Sequence, residues 1–248
     1  MNKESKTEIT GNFDLNIPEV FPFFVSGADA KAVYEHMQET FGKGVWYEEE
    51  SKTMLGSNFP IAARLDTMLK NLKENPLELR VATLADLSRP EVMKMIEGEH
   101  YSDTPALVLR TEKDSYEPNN AIIKQLLPHI EEKQGRLQLP LMITGLDAIL
   151  DKNTEYGWNI VPRDYFSVVY DDKLEGKHNV KRFSRVDEIG FPIFDENGKR
   201  TLYARDKGLS GLCLVRDFAL NSGGGDLADS GEYGRVVLIA AKPSTRKS

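Results

Sequence analysis

The chain has 248 residues, with 32 lysines and arginines against 39 aspartates and glutamates, and a formal net charge of −7. This acidic balance disfavours nucleic-acid binding through general attraction to phosphates. No apolar run approaches the ~20 residues that a membrane helix needs, and the first residues lack the apolar stretch of a secretory signal. We therefore expect no nucleic-acid partner, no membrane span and, by default, a cytoplasmic location.

The residues that most often carry chemistry are few and scattered. The single cysteine, Cys213, excludes a disulfide within the chain and a zinc site built of thiolates. The four histidines fall in four different predicted elements without metal-binding spacing, at His36, His100, His129 and His178. We predict no catalytic residue, no metal site and no cofactor.

In the first half of the chain, short apolar runs alternate with amphipathic helices. Apolar residues at helical spacing predict helices over 26–42, 60–72, 88–98 and 118–134. Ser88 is expected to cap the third helix, and Pro128 to kink or break the last one. Strands are predicted over 79–84, 106–110 and 139–146. This half is expected to be mixed α/β.

From Trp158 onward the helical spacing disappears, and the sequence becomes typical of β-structure. Residues 165–170 and 235–241 predict strands, and Asp195–Gly198 predicts a hairpin turn with a return strand over 201–204. Nine of the nineteen glycines lie between residues 190 and 234, which indicates many turns and loops.

Residues 209–237 carry a pattern that core packing alone does not predict. Apolar or large residues occupy every second position, at Leu212, Leu214, Arg216, Phe218 and Leu220. In one strand these side chains share a face. The residues between them share no size, polarity or charge, whereas the solvent face of a strand is normally rich in Lys, Glu, Thr and Gln.

The composition of this segment is also unusual. Between residues 208 and 231 there is no Lys, Glu, Gln, Met or Trp, although these types supply 54 of the 248 residues. The residue types at the irregular positions are Cys, Val, Asp, Ala, Asn, Gly and Tyr. All of them are reached from an asparagine codon by changing its adenines alone, whereas the five missing types are not. The pattern indicates a genetic process acting on adenines.

Three runs carry a resemblance to a known family: GLSGLCLVRDFALNS (208–222), DLADS (226–230) and GRVVLI (234–239). They resemble the variable region of target proteins of diversity-generating retroelements. In that family a reverse transcriptase that mutates adenines rewrites selected codons, while constant residues hold a C-type-lectin-like fold. The chain lacks the cysteine pairs and calcium signatures of sugar-binding lectins, so calcium-dependent sugar binding is not implied.

The resemblance assigns each matching position to one of two roles. The scaffold residues it implies are Leu212, Leu214, Arg216, Leu220, Leu227, Gly234, Arg235, Val236 and Val237. The variable, ligand-binding residues it implies are Gly211, Cys213, Val215, Asp217, Ala219, Asn221, Gly223, Gly224, Asp226, Asp229, Gly231 and Tyr233.

The expected fold is α+β, with a β-rich C-type-lectin-like C-terminal domain flanked by helices. We expect a disordered tail over 1–12, a mixed α/β region over 13–84, the lectin-like domain over 85–241 and a tail over 242–248. The helix at 118–134 and the one at 88–98 are expected to belong to the lectin-like domain.

The expected function is binding of a protein ligand by a diversified surface, without enzymatic activity. The three aspartates Asp217, Asp226 and Asp229 predict an acidic site that favours a basic or hydrogen-bonding patch. One alternative is an enzyme of unknown reaction whose site lies in the α/β half, around Asp86, His100 and Asp103. Another is a structural assembly protein that displays its C-terminal domain.

Overall fold

The structure is a computed structural model and describes residues 23–27, 30–72, 78–96, 98, 100–176, 180–188, 190–215 and 217–240. The helices are α1 (Ala30–Phe41), α2 (Phe59–Lys70), α3 (Leu84–Leu87), α4 (Pro90–Ile96) and α5 (Pro118–Gln134), with a 3₁₀ helix at Asp172–Leu174. The strands are β1 (Phe23–Phe24), β2 (Trp46–Glu48), β3 (Thr53–Leu55), β4 (Leu79–Val81), β5 (Ser102–Leu109), β6 (Leu141–Leu150), β7 (Trp158–Tyr170), β8 (Val180–Val186), β9 (Pro192–Phe194), β10 (Arg200–Ala204), β11 (Leu209–Leu214), β12 (Leu220–Ser222) and β13 (Val237–Ala240). In these residues every α-helix ends before residue 135, so the second half is built of strands, as the sequence predicts.

Helix α2 begins at a capping side chain. The Asn58 side chain accepts a hydrogen bond from the Ile61 amide at 3.0 Å, and Pro60 stands in the first turn, where its missing N–H costs nothing. The apolar face from Ile61 to Leu69 is buried. The predicted helix over 60–72 is confirmed.

The predicted cap at Ser88 is wrong. Thr83 caps α3 instead, because its side chain accepts from the Asp86 amide while the Asp86 carboxylate accepts from the Thr83 amide. Ser88 closes that short helix, and a separate helix, α4, begins at Pro90. Proline fixes its own φ and lacks an N–H, so it favours a new start over continuation.

Helix α5 runs without interruption through Pro128 to Gln134, so the predicted early break is wrong. Pro128 is exposed, so the Lys124 carbonyl that loses its helical partner faces water. The opposite side of the helix is buried against the sheet, through Ile122, Ile123, Leu126 and Ile130. That burial holds the helix together across the proline.

The strands form three sheets. An eight-stranded sheet has the order β7-β6-β5-β11-β12-β10-β8-β9, a three-stranded sheet has the order β1-β13-β4, and β2 pairs with β3. In the large sheet all neighbours are antiparallel except β10 and β12. Strands β10 and β12 are parallel because the chain crosses from β10 to β11, nearer the centre of the sheet, and then turns back as β12 between them.

The alternating segment is a hairpin rather than one strand. Strand β11 turns back into β12, so that Cys213 pairs with Asn221 and Leu214 with Leu220. The turn contains Phe218 at φ 62°, a left-handed conformation that a continuous strand does not permit. Side chains that lie opposite each other in two paired strands share one face of the sheet. The leucines of β11 and β12 therefore still face one core.

The turn Asp195–Gly198 forms, with the Gly198 amide donating to the Asp195 carbonyl at 2.8 Å. The hairpin prediction required the strands on its two sides to pair with each other, and they do not. Both β9 and β10 pair with β8, and Phe183 is a partner of each. Strand β8 is therefore the neighbour of both β9 and β10 in the sheet, and the turn does not close a hairpin.

Three apolar cores hold these layers together. One lies between a face of the large sheet and α3 and α4, and includes residues of β13. A second lies between the other face of the sheet and α2 and α5. The third packs α1 and α2 against β3, β4 and β13. Because α2 and β13 each contribute to two cores, the cores form one continuous body.

The described residues therefore form a mixed α+β structure with a sheet-rich body and few helices. Strand β13 pairs with β1 on one side and β4 on the other, so segments from both sides of the predicted boundary at 84/85 share a sheet. The predicted tails at 1–12 and 242–248 lie outside the described residues. No helix in the described ranges is both long and apolar enough to cross a membrane.

Candidate functional site

A row of cross-strand neighbours defines the centre of the site. Cys213 on β11 stands opposite Asp103 on β5 and opposite Asn221 on β12. Asn221 in turn stands opposite Tyr203 on β10. The register shifts between Gly211 and Cys213, which marks a bulge in the pairing of β5 with β11. Bulges often re-aim side chains beside functional sites.

This row lies beside a depression of about 380 Å³, which we call the acidic depression because Asp103, Asp226 and Asp229 all line it. Eight of the twelve predicted variable residues line it: Gly211, Cys213, Val215, Asn221, Gly224, Asp226, Asp229 and Gly231. Its remaining lining residues are Phe59, Tyr101, Asp103, Leu227 and Ser230. The tertiary structure thus collects into one place most of the positions that the sequence singles out.

Strand β11 explains how one face serves both core and site. Leu209 is completely buried in the core beneath α2 and α5, near Phe59 and Leu227. Two and four residues further along the same face, Gly211 and Cys213 are half-buried and reach the acidic depression. On the opposite face the predicted scaffold leucines are at most 2 % exposed.

The other four predicted variable residues lie outside the acidic depression. Asp217 is exposed on the β11–β12 turn, Gly223 is exposed after β12, and Tyr233 is 51 % exposed. Ala219, the residue before the buried Leu220, is 1 % exposed, so its side chain does not reach the surface.

Most of the predicted scaffold residues are buried. Those buried to 3 % exposure or less are Leu212, Leu214, Leu220, Leu227, Val236 and Val237. Gly234 is buried as well, Arg235 is half-buried and donates to the Glu232 carbonyl at 2.6 Å, and Arg216 lies outside the described residues.

The predicted variable glycines differ from the other described glycines in combining an ordinary φ with space for a side chain. A Cβ added at Gly211 or Gly231 finds no atom closer than 3.7 Å, and one at Gly224 finds nothing within 4 Å. At Gly223 the nearest atom is the Asn221 side-chain oxygen at 3.2 Å. At Gly234, by contrast, a Cβ lies 2.5 Å from a backbone nitrogen. Of the glycines described, only these four variable positions combine ordinary φ with no contact below 3.0 Å.

The loop over 224–231 is held through its backbone by side chains from distant parts of the chain. Asn119 donates to the Gly225 carbonyl at 2.8 Å, and Asn58 donates to the Ala228 carbonyl at 3.1 Å. The Tyr156 hydroxyl accepts from the Leu227 amide at 3.2 Å.

Tyr101 and Ser230 complete this support. The Tyr101 hydroxyl accepts from the Gly231 amide at 2.6 Å, and Ser230 Oγ donates to the Gly44 carbonyl at 2.8 Å. Apart from that of Ser230, these bonds involve only backbone atoms of the loop, so they do not depend on which side chains it carries. No local pattern in the sequence predicts these anchors except at Asn58, which stands just before a first helical turn that contains a proline.

The surroundings in the acidic depression favour the neutral forms of the Asp103 carboxyl and the Cys213 thiol. Burial, together with the negative charge of Asp229, raises the pKa of the Asp103 carboxyl to about 7, although a hydrogen bond with Ser57 opposes the shift. Burial, and then the charge of Asp103, raises the pKa of the Cys213 thiol well above its ordinary value. A protonated thiol is a poor nucleophile and a poor metal ligand.

The alternative catalytic group is not assembled at this site. Asp86 forms an ion pair with Arg80 and caps α3, and the His100 ring packs edge-on against Phe24 at 5.6 Å. Neither residue lines the acidic depression, whereas Asp103 does. Among the described residues, no group of three or more His, Cys, Asp or Glu side chains is arranged to hold a metal ion.

The chain matches no family model, no curated protein and no solved structure. The function is therefore inferred from the arrangement of its own residues.

Proposed function

We propose that this protein is a ligand-binding display protein, in which a fixed α+β framework carries a surface diversified by adenine-directed retroelement mutagenesis. The diversified segment is residues 209–237, and its ligand is a protein. The observation that carries the proposal is the behaviour of the glycines. The codon pattern and the resemblance predict Gly211, Gly223, Gly224 and Gly231 as variable, and each combines ordinary φ with no contact below 3.0 Å. Gly225, which the resemblance also admits as variable, is an exception, because a Cβ there lies 2.7 Å from the Arg205 guanidinium.

This agreement supports the proposal because a glycine that the fold requires normally has a positive φ or leaves no space for a side chain. Other glycines of the described chain have positive φ or touch neighbouring atoms, as at Gly145 and Gly234. A glycine with ordinary φ and free space gains nothing for the fold. Its presence at four positions of one segment is what sampling of codons predicts.

The way the segment is held also supports the proposal. A surface that tolerates exchange needs its backbone fixed by groups outside it. The anchors Asn58, Tyr101, Asn119 and Tyr156 meet that need, because they bind backbone atoms of the 224–231 loop. The buried leucines of β11 and β12 supply the same fixity on the other face.

We propose further that the framework is C-type-lectin-like. A lectin-like fold requires helices beside its sheets, and α2 and α5 both pack on the second core of the large sheet. In that arrangement α2, from the predicted N-terminal region, takes the place that the sequence analysis gave to the helix over 88–98.

The chemistry of the acidic depression selects the kind of ligand. Asp103, Asp226 and Asp229 line it, and no lysine or arginine is among the described residues around it. A basic or hydrogen-bond-donating patch on a protein therefore complements it. The variable side chains themselves include one aromatic, Tyr233, and one branched aliphatic, Val215.

Two libraries test the proposal. One randomises the eleven predicted variable positions other than the buried Ala219 among Cys, Val, Asp, Ala, Asn, Gly and Tyr, and the control randomises six buried scaffold positions in the same way. We expect most members of the first library, and few of the second, to resist proteolysis and to unfold cooperatively. Binders to purified basic proteins should emerge from the first library.

Equal loss of folding in the two libraries contradicts the proposal. The nucleotide sequence of the locus gives an independent test. A nearby template repeat that differs from the variable region at adenines is required, together with a reverse transcriptase gene. The absence of both overturns the retroelement origin.

A second candidate is an enzyme that uses Asp103 as a general acid or base. The observation that favours it is a carboxyl with a pKa near 7 inside a depression, which is suited to proton transfer. A turnover found in a substrate screen should then show an inflection near pH 7 that Asp103→Asn removes. A turnover unaffected by that substitution excludes Asp103 from this role.

A further inference from the structure

A second concavity lies beside the acidic depression. It has a volume of about 130 Å³, and Asp226 lines both. We call it the aromatic cleft, defined by the rings of Phe41, Tyr116, Tyr156 and Trp158. These rings come from the end of α1, the segment just before α5, the β6–β7 connection and the start of β7, so only the tertiary structure brings them together.

The rings of the aromatic cleft are already fixed in place. Tyr156 stacks on Trp158 with centroids 4.6 Å apart, and Phe41 meets Trp158 edge-on at 6.5 Å. The Tyr156 hydroxyl donates to Asn119 Oδ1 at 2.8 Å. A ligand group that enters the cleft therefore has no ring to order, which lowers the entropic cost of binding.

The charges around the aromatic cleft are mainly negative and lack a cationic partner. Glu155 and Asp226 are both exposed at the cleft. Among the described residues, no lysine or arginine forms an ion pair with either carboxylate. Of the residues that the structure describes, Lys43 is the one basic residue lining the cleft.

We propose that the aromatic cleft binds an arginine side chain of the protein ligand, with its guanidinium between the Glu155 and Asp226 carboxylates. Its plane lies against the half-buried rings of Tyr116 and Tyr156, because Trp158 is itself buried. The proposal rests on the proposed function, and it names a constant feature of the ligand. Guanidinium groups stack on aromatic faces and pair with carboxylates in one geometry, which an ammonium group does less well. The volume suits one side chain.

This assignment resolves a weakness of the variable surface. Binding hot spots favour Tyr, Trp and Arg, and the variable positions of this chain offer only Tyr233 of these types. The aromatic cleft supplies anchor residues that lie outside the diversified segment, except for Asp226. Affinity from a constant anchor would leave the variable side chains free to set specificity.

A probe titration tests the aromatic cleft directly. The chain has two tryptophans, so Trp46→Phe leaves Trp158 as the only indole, whose NMR signal reports on the cleft. N-acetylarginine amide is titrated up to about 50 mM, a range that covers millimolar dissociation constants. N-acetylcitrulline amide, which has the same shape without the charge, is the matched probe.

We expect a saturable shift with the arginine probe, and binding at least about tenfold weaker with the citrulline probe. Glu155→Gln should weaken arginine binding about three- to fivefold, and Lys43→Ala should strengthen it. Glu196→Gln, an exposed glutamate in the distant Asp195–Gly198 turn, should leave it unchanged. Each variant should keep the unfolding temperature of the Trp46→Phe protein.

The absence of a saturable shift, or equal binding of the two probes, overturns the inference. These outcomes are distinct from failure of the proposed function. A chain with exchanged variable side chains but with Asp226 kept should bind the arginine probe unchanged. Conversely, loss of folding in the variable-position library contradicts the display function, whatever the probe does.

Discussion

Asp103 and Cys213 face each other across strands β5 and β11, and the charge of Asp103 disfavours ionisation of the Cys213 thiol. The pair joins a residue outside the predicted variable segment to a residue inside it. Because both groups are half-buried in the acidic depression, their protonation is tied to the stability of the fold and to the chemistry of the site.

The first prediction concerns pH and Asp103. Its folded-state pKa is raised to about 7, so its contribution to stability is present at low pH and lost as the pH rises from about 4 through 7. Asp103→Asn should therefore unfold less readily than the parent at pH 8, by about 1 to 2 kcal/mol after allowance for contact with solvent. Urea titrations should show a larger difference at pH 8 than at pH 5, because the unfolded chain has an ionised carboxyl at both pH values and the folded chain only at the higher.

The second prediction concerns the reactivity of Cys213. Because its thiol pKa is raised by burial and by Asp103, little thiolate is present at pH 8. Alkylation by iodoacetamide, followed by mass spectrometry, should be at least about tenfold slower than that of free cysteine. Asp103→Asn should speed it. A rate equal to that of free cysteine in the folded parent contradicts the buried thiol.

The third prediction compares two glycines in the same segment. Gly224→Ala should raise the free energy of unfolding slightly, by about 0.5 kcal/mol, because the new Cβ meets no atom and restricts the unfolded chain. Gly234→Ala should lower it by about 1 to 3 kcal/mol, because its Cβ meets the Ser57 nitrogen at 2.5 Å. Equal effects in urea unfolding would remove the distinction on which the proposed function depends.

The fourth prediction concerns the anchor Asn119, which is completely buried and donates to the carbonyls of Leu209 and Gly225. Asn119→Ala removes both bonds, and Arg205 Nη1 then remains a donor to the Leu209 carbonyl. The loss should cost at least about 2 kcal/mol of stability. Amide exchange in the 224–231 loop should accelerate. Asn153→Ala, in an exposed turn, is the control and should change neither quantity.

The fifth prediction concerns Pro128. Pro128→Ala restores an amide donor to the middle of α5 at an exposed position, and should raise the free energy of unfolding by about 1 to 3 kcal/mol. Thermal and urea unfolding measure it. A loss of stability would mean that the ring of Pro128 makes a contact that its exposure does not indicate.

Local patterns in the sequence determined much of this structure. The helical spacing over 60–72 and 118–134 predicts α2 and α5, and the alternation around Leu212 and Leu214 predicts which side chains are buried. These features depend on residues a few positions apart, and burial of one face is enough to enforce them. The codon pattern likewise singled out Gly211 and Gly224 without knowledge of the space around them.

Only the tertiary structure decided what these elements meet. It folded the alternating segment back at Phe218 and placed β8 between β10 and β9. It also brought Asp103, Asn119 and Tyr156 to a loop that is distant in the chain, the separation being 106 residues from Asn119 to Gly225 and 71 from Tyr156 to Leu227. Pairings over such separations depend on cores shared by many segments. No local spacing encodes them, and so the acidic depression and the aromatic cleft became visible only in the folded chain.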